Sequence, residues 1–249
     1  MKRRNPVEST FAVAVDFASS TVGRALHEAS ADGFDGALAF SGSASGRIYC
    51  FEGSAYAAEV EGFTPDVERR LVTSGALTAG DSPRAAVTAM RLTPEALASV
   101  NQEFLLALLG RLAELPGLTV ARLPQVVTAE GCTLPIPFES LVEVIRLRQV
   151  RSIEDLSHVG GAASAQVVLA QRGDMPTGLP ELSALWTALG DGSELDAAAA
   201  ACGLSRAEAL HLAANLLRQE AATVISTWPR VSGPPAVPEA VGAGPGRRA

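Results

Sequence analysis

Three short runs, "GALAF" (36–40), "RIYCF" (47–51) and "SAYAAEV" (54–60), follow one another with only a small-residue loop, "SGSASG" (41–46), and a Glu52-Gly53 pair between them. Runs this short, rich in apolar and aromatic residues and broken by Gly and Ser, describe strands, and a two-residue turn ties antiparallel neighbours. The spacing predicts a three-stranded antiparallel meander. Nothing within "GRIYCFEGSAYAAEVEG" (46–62) supplies a His, a Lys or a paired carboxylate in a catalytic spacing, so the meander reads as framework.

Helical signals surround it. "TFAVAVDF" (10–17) alternates as a strand does, and "SSTVGRALHEASADG" (19–33) follows, with Ser19 or Ser20 to cap, Val22, Leu26 and Ala29 on one stripe, and Gly33 to stop it. "TPDVERRLVTSG" (64–75) has Thr64 as cap, Pro65 in the first turn and Gly75 at its end. A longer helix is expected from Thr93-Pro94 to about Glu114, with Leu97, Val100, Phe104, Leu105, Leu108 and Leu112 inward. "GLTVARL" (117–123) reads as a further strand. "PFESLVEVIRLRQVRS" (137–152) reads as an amphipathic helix with Leu141, Val144, Ile145 and Val150 on its apolar side.

From 156 to 180 the composition loosens into Gly, Ala, Ser and Pro around one candidate strand, "AQVVLAQ" (165–171). This stretch is expected to be a linker, either flexible or packed as a strand of a shared sheet. A helical unit follows over 181–228: one helix to the Gly190-Asp191-Gly192 turn, a second in "ELDAAAAACGL", and a third in "SRAEALHLAANLLRQEA", where Ser205 and Glu208 have the spacing of a capping box. Residues 1–9 form a basic tail. Residues 229–249, with five prolines and four glycines, are expected to be disordered.

The order helix, "GALAF…GRIYCFEGSAYAAEVEG", helix pair, then "GLTVARL…TLPIPFESLVEVIRLR" resembles the PATAN domain, named for the amino-terminal region of the cyanobacterial regulator PatA. That family turns at a G-x-hydrophobic-x-F-x-x-G hairpin and closes with an S-x-x-hydrophobic-hydrophobic-x-x-hydrophobic-R helix. The correspondence runs over residues 10–155. The unit at 181–228 is similar to small winged-helix modules, with Glu220-Ala221 standing where a glycine commonly leads into a terminal strand. The fold expected is α+β: a small antiparallel sheet with packed helices, then a three-helix winged-helix-like domain. The resemblance implies bacterial regulation or signalling through protein partners, and it carries over no catalytic residue or cofactor.

Charge and motif content narrow the function. A net charge of −7 disfavours a general polyanion binder, since such affinity rests on many Lys and Arg contacts to phosphate. Lys2 is the only lysine, which removes P-loop and Schiff-base chemistry from the body of the chain. "SGSASG" places Ala44 where a nucleophile elbow needs Ser. His27, His158 and His211 are scattered, as are Cys50, Cys132 and Cys202, so neither a zinc site nor a disulfide framework is expected. The apolar run 11–15 is interrupted by Asp16, well short of the ~18–20 residues of a span, so the chain is read as cytoplasmic with no membrane contact.

Six residues remain as candidates for contact. Arg146, Arg148 and Arg151 cluster in "RLRQVR", either as the rim of a protein-binding patch or paired with Glu139, Glu143, Glu154 or Asp155 on a solvated face. Trp228 either clamps the end of the last core or anchors a partner, while Trp186 is expected inside that core. Arg206 and Arg218 are the residues with which the third helix would touch DNA. The 181–228 unit holds six acids against those two bases, the wrong sign for a phosphate footprint. The reading is a non-enzymatic regulatory adaptor that binds another protein or a second copy of itself; the alternative is a DNA-binding transcription regulator.

Overall fold

The structure, a computed structural model, describes residues 16–61, 66–128, 133–160 and 165–229. Strands β1 (Gly36–Ser41), β2 (Gly46–Phe51) and β3 (Ser54–Val60) form the meander, and β4 (Thr119–Pro124) pairs antiparallel with the other side of β1. The sheet is thus four-stranded, ordered β3-β2-β1-β4. Side chains alternate across it, as the pleat requires. Leu38, Phe40, Ile48, Cys50 and Ala55 face a core completed by helices α1 (Thr21–Ala31), α4 (Pro94–Ala113) and the first half of α5 (Phe138–Val159). The opposite face closes a smaller cluster of Ala37, Tyr49 and Ala57 with Tyr56, Leu123 and Val126.

The turn between β2 and β3 is Glu52-Gly53, both with positive φ, 46° and 73°. That pair of left-handed residues matches the twist of a two-residue hairpin. Asp35 holds it from the side, its Oδ1 accepting from the Glu52 amide at 2.6 Å.

At the start of the described chain, the strand expected over 10–17 does not reach its end. Phe17–Ser19 form a 3-10 turn capped by Asp16, and Phe17 is buried in the core instead of lying in a ladder. Residues 10–15 lie outside the described residues. Ser20 then caps α1, accepting from the Gly23 amide at 2.9 Å. Helix α2 (Val67–Thr73) begins later than expected because Asp66, not Thr64, accepts from the Arg69 amide at 3.0 Å; Thr64 and Pro65 fall outside the description. A short helix the sequence had not suggested, α3 (Pro83–Thr88), packs Ala86 with Leu71, Leu77 and Leu92 against Leu97 and Val100 of α4. Leu97 and Val100 therefore serve this satellite cluster, while Leu105, Leu109 and Leu112 serve the main core.

Helix α5 runs past Ser152, and its last turn carries Leu156 and Val159 into a second core. The linker expected at 156–180 therefore falls on ordered chain in its described parts. Residues 156–159 are helix, and β5 (Ala165–Gln171) is the central strand of a second sheet. That sheet is ordered β6-β5-β7, with β6 (Ser193–Glu194) and β7 (Ala222–Pro229) antiparallel on either side. Helices α6 (Pro180–Leu189), α7 (Leu195–Ala201) and α8 (Arg206–Arg218) pack on it through Leu185, Leu189, Leu195, Leu210 and Leu216. Ser205 and Glu208 form the expected capping box. Trp186 packs against this core and donates its Nε1–H to the Ala221 carbonyl at 2.8 Å. The chain after 229 lies outside the description.

Between α8 and β7, Glu220 takes the left-handed conformation at φ 57° in place of a glycine. A non-glycine residue there costs roughly 1 kcal/mol through its Cβ. Glu220→Gly is accordingly expected to raise stability by about 0.5–1 kcal/mol, measured as a higher urea midpoint at unchanged slope; a lower midpoint would show that the side chain contributes more than the strain it causes.

Candidate interaction surface

Among the described elements, helix α5 alone places buried residues in both cores. It starts after Pro137, gains an acidic first turn from Glu139, and stops at Gly160. At 1.5 Å per residue its 22 residues extend about 33 Å. Phe138, Leu141 and Ile145 are buried in the first core, and Leu156 and Val159 in the second.

Two charged residues tie down its inner side. Arg148 Nη2 donates to both carboxylate oxygens of Glu103 on α4, at 2.6 Å each. Asp155 is 2% exposed. Its Oδ1 accepts from Arg218 Nη2 at 3.2 Å, and its Oδ2 lies 3.0 Å from His211 Nδ1. An Asp this deep requires such partners, because an unpaired buried carboxylate is strongly disfavoured. Asp155 entered the sequence reading only as a possible mate for the neighbouring arginines; its true partners are on α8, over 50 residues away, and local spacing carries no sign of them.

The outer side of the same helix is apolar where solvent should prefer charge. Leu147 is 53% exposed, Val150 43% and Ile153 42%. These three repeat every third residue, and Val150 projects about 180° from Leu141 at 100° per residue. Val150, expected on the inner side, is thus on the outer one. Arg146 and Arg151 border the stripe, both exposed. Arg146 forms a fork on Glu143, Nε at 3.1 Å and Nη2 at 2.8 Å. Arg151 has no ion-pair partner among the described residues. Of the three arginines offered by the sequence as a rim, Arg146 and Arg151 lie beside the stripe, Arg146 in the expected pairing with Glu143, while Arg148 is turned inward onto Glu103; Leu147 and Ile153 were not singled out, although their spacing was legible.

The arginines considered for DNA are used differently. Arg206 Nη1 bonds Asp196 at 3.1 Å, and burial together with the nearby Arg111 charge pushes its pKa down against the opposing pull of Glu114. Arg218 holds Asp155 and also donates to Asn215 Oδ1 at 2.8 Å. From Arg206 to Leu217 the residues of α8 are buried or half-buried. Trp228 is in β7, opposite Gln166 of β5, and its side chain lies outside the description.

A second junction ties α2, with its satellite cluster, to α6 and α8. Arg70 Nη1 bonds Glu181 at 3.0 Å and its Nη2 bonds Glu208 at 3.0 Å, with 14% of the arginine side chain exposed. Burial opposes the charge on Arg70, yet Glu208 and Glu181 outweigh it and hold its pKa up. Thr73 Oγ1 donates to the Cys202 carbonyl at 2.8 Å beside this pair.

Chemistry at the remaining candidates is muted. Burial pushes the Cys50 thiol up to about 12 against the nearby Arg122 charge, and burial also raises Cys202. Thiols held protonated in this way are poor nucleophiles. Cys132 lies outside the described residues. Among the described residues no group of three or more His, Cys, Asp or Glu is placed to hold a metal ion, and no helix is long and apolar enough to cross a membrane.

No protein-family model matches the chain, and no curated protein or solved structure matches it significantly. Fold and surface together define a class: an α+β protein with two cores, bridged by one long helix that exposes an apolar stripe.

Proposed function

We propose that this chain is a non-enzymatic bacterial regulatory or signalling adaptor of the cytoplasm, PATAN-like in its first domain and winged-helix-like in its last, that acts through protein–protein contact on α5. The observation that carries this reading is the exposed Leu147, Val150 and Ile153 stripe with Arg146 and Arg151 at its border. Isolated exposed apolar residues are ordinary, but three on one helical face with an arginine rim have the composition of a contact surface. Its position adds a regulatory sense, since a partner seated on α5 touches the helix that joins both cores.

The alternative, a DNA-binding regulator, draws less support, because Arg206 and Arg218 are engaged within the chain and the last unit is acidic.

The test compares the tagged wild-type chain with Leu147→Glu/Ile153→Glu, each expressed at native level in its own cell. A protein that co-purifies with the wild type and is depleted at least tenfold with the variant is the expected result. Identical co-purifying sets, with the variant folded by circular dichroism, would remove α5 from the reading.

A further inference from the structure

Within α5, the residues around the exposed stripe are arranged symmetrically about one position, apolar matched by apolar and charge by opposite charge. Val150 is at its centre. Three residues to either side are Leu147 and Ile153, and four residues to either side are Arg146 and Glu154. At 100° per residue these positions lie within about 60° of Val150, so they share one face of the helix. All five are exposed. From Glu143 to Ser157 this face is about 21 Å long.

We propose that this face is the interface for a second copy of this chain, two α5 helices packing antiparallel about a two-fold axis at Val150. The proposal rests on the reading of α5 as a contact surface and names its occupant. A two-fold interface must be self-complementary, each residue meeting a partner set by the same axis. Here the axis places Leu147 opposite Ile153 of the second copy, Val150 on its own counterpart, and Arg146 opposite Glu154. Apolar thus meets apolar, and positive meets negative, at both ends. Arg146 already forms its fork on Glu143, so Glu154 of the other copy would add a second acceptor to a guanidinium held in place. A parallel arrangement instead sets each charge against its like, which is unfavourable. One helix face is small beside a standard interface of about 800 Å² per partner, so the dimer is a weak one, with a dissociation constant on the order of 10–100 µM.

Sedimentation equilibrium and light scattering of the full chain from about 1 to 300 µM, a range that brackets this affinity, give the direct reading. Mass is expected to rise toward twice the monomer value across it. Leu147→Glu should raise the dissociation constant by about tenfold or more without lowering the unfolding midpoint, since the side chain is solvated in the monomer. Arg146→Glu alone and Glu154→Arg alone should each weaken the dimer, and the two together should restore it to within about threefold, the coupling expected of a pair in contact. A monomer at every concentration overturns the second copy as occupant, as does a dimer indifferent to both Leu147→Glu and the single reversals. So does a fall in monomer stability in Leu147→Glu, which would assign the stripe to a segment of its own chain. The adaptor reading survives any of these if the stripe-dependent co-purification persists; it fails separately if the dimer forms and no other protein depends on the stripe.

Discussion

Arg70→Ala is expected to destabilise the chain by about 2–3 kcal/mol, the largest effect of any single charge removed from the surface of α2. Arg70 sits between Glu181 and Glu208, at 3.0 Å from each, and only 14% of its side chain meets water. Removing one member of a fully buried ion pair costs roughly 3–5 kcal/mol, because the survivor is left charged and poorly solvated. The two glutamates keep 17% and 20% exposure, and partial hydration reduces the figure. A further term works the other way: Glu208 also closes the capping box of α8, its Oε2 accepting from the Ser205 amide at 2.9 Å. Without Arg70, Glu181 and Glu208 repel across a gap, and the cap is strained with them. Urea unfolding followed by circular dichroism measures the loss. Arg70→Met, which keeps most of the alkyl stem, should lose nearly as much as alanine if charge is the cause; an unfolding free energy within about 0.5 kcal/mol of wild type for either variant would contradict the account. Because the contact joins α2 to α6 and α8, the slope of the transition is informative too. A shallower slope in the variant would mean that the two cores unfold separately once the contact is lost.

Gly53→Ala should cost about 2–5 kcal/mol, for two distinguishable reasons. The residue has φ 73°, which an L side chain adopts at a cost of roughly 1–2 kcal/mol. A Cβ at this position would also sit 2.6 Å from the Ser30 Cα and 2.8 Å from the Ala29 carbonyl oxygen, so the hairpin or α1 must move, at a further cost of roughly 1–3 kcal/mol. Gly75 separates the two terms. It has nearly the same φ, 75°, with open space around it, so Gly75→Ala should lose only the first. Thermal or urea unfolding of both variants gives the comparison, and equal losses would show that the close approach to α1 is easily relieved. This close approach is what the Glu52-Gly53 pair does in the molecule: it turns β2 into β3 and lets the turn lie directly on the end of α1.

Much of the secondary structure was legible because its causes are local. The meander, α1, α4 and the capping box at Ser205-Glu208 follow from turn residues, caps and apolar spacing within a few residues of one another, and all four are present. Where a boundary moved, a nearby competitor explains it, as Asp66 displaced Thr64 as the cap of α2. The stretch at 156–180 contains the strand expected at 165–171 as β5, while the choice between a flexible linker and packed chain stayed open for a related reason. Its Gly, Ala and Pro content resembles a linker, whereas Leu156, Val159, Val167 and Leu169 supply core contacts that become apparent only when α6 to α8 fold over them.

Charge alone drew attention to Arg146, Arg148 and Arg151, whereas the apolar stripe beside Arg146 and Arg151 did not stand out: Val150 was expected inward with Leu141, and Leu147 and Ile153 gain meaning only once it is seen which side of the helix is covered. By itself, then, the sequence indicated the meander, β4, β5 and the longer helices, where several of them are capped, and that no familiar phosphate-binding loop or nucleophile motif is present. Tertiary structure alone decided that β4 completes the first sheet, that β5 centres the second, that Asp155 is paired by α8, and that one side of α5 faces water. The physical reason is range: caps and periodicity act over a turn or two of chain, while burial and ion pairing depend on which distant segments arrive, and that is a property of the packed molecule.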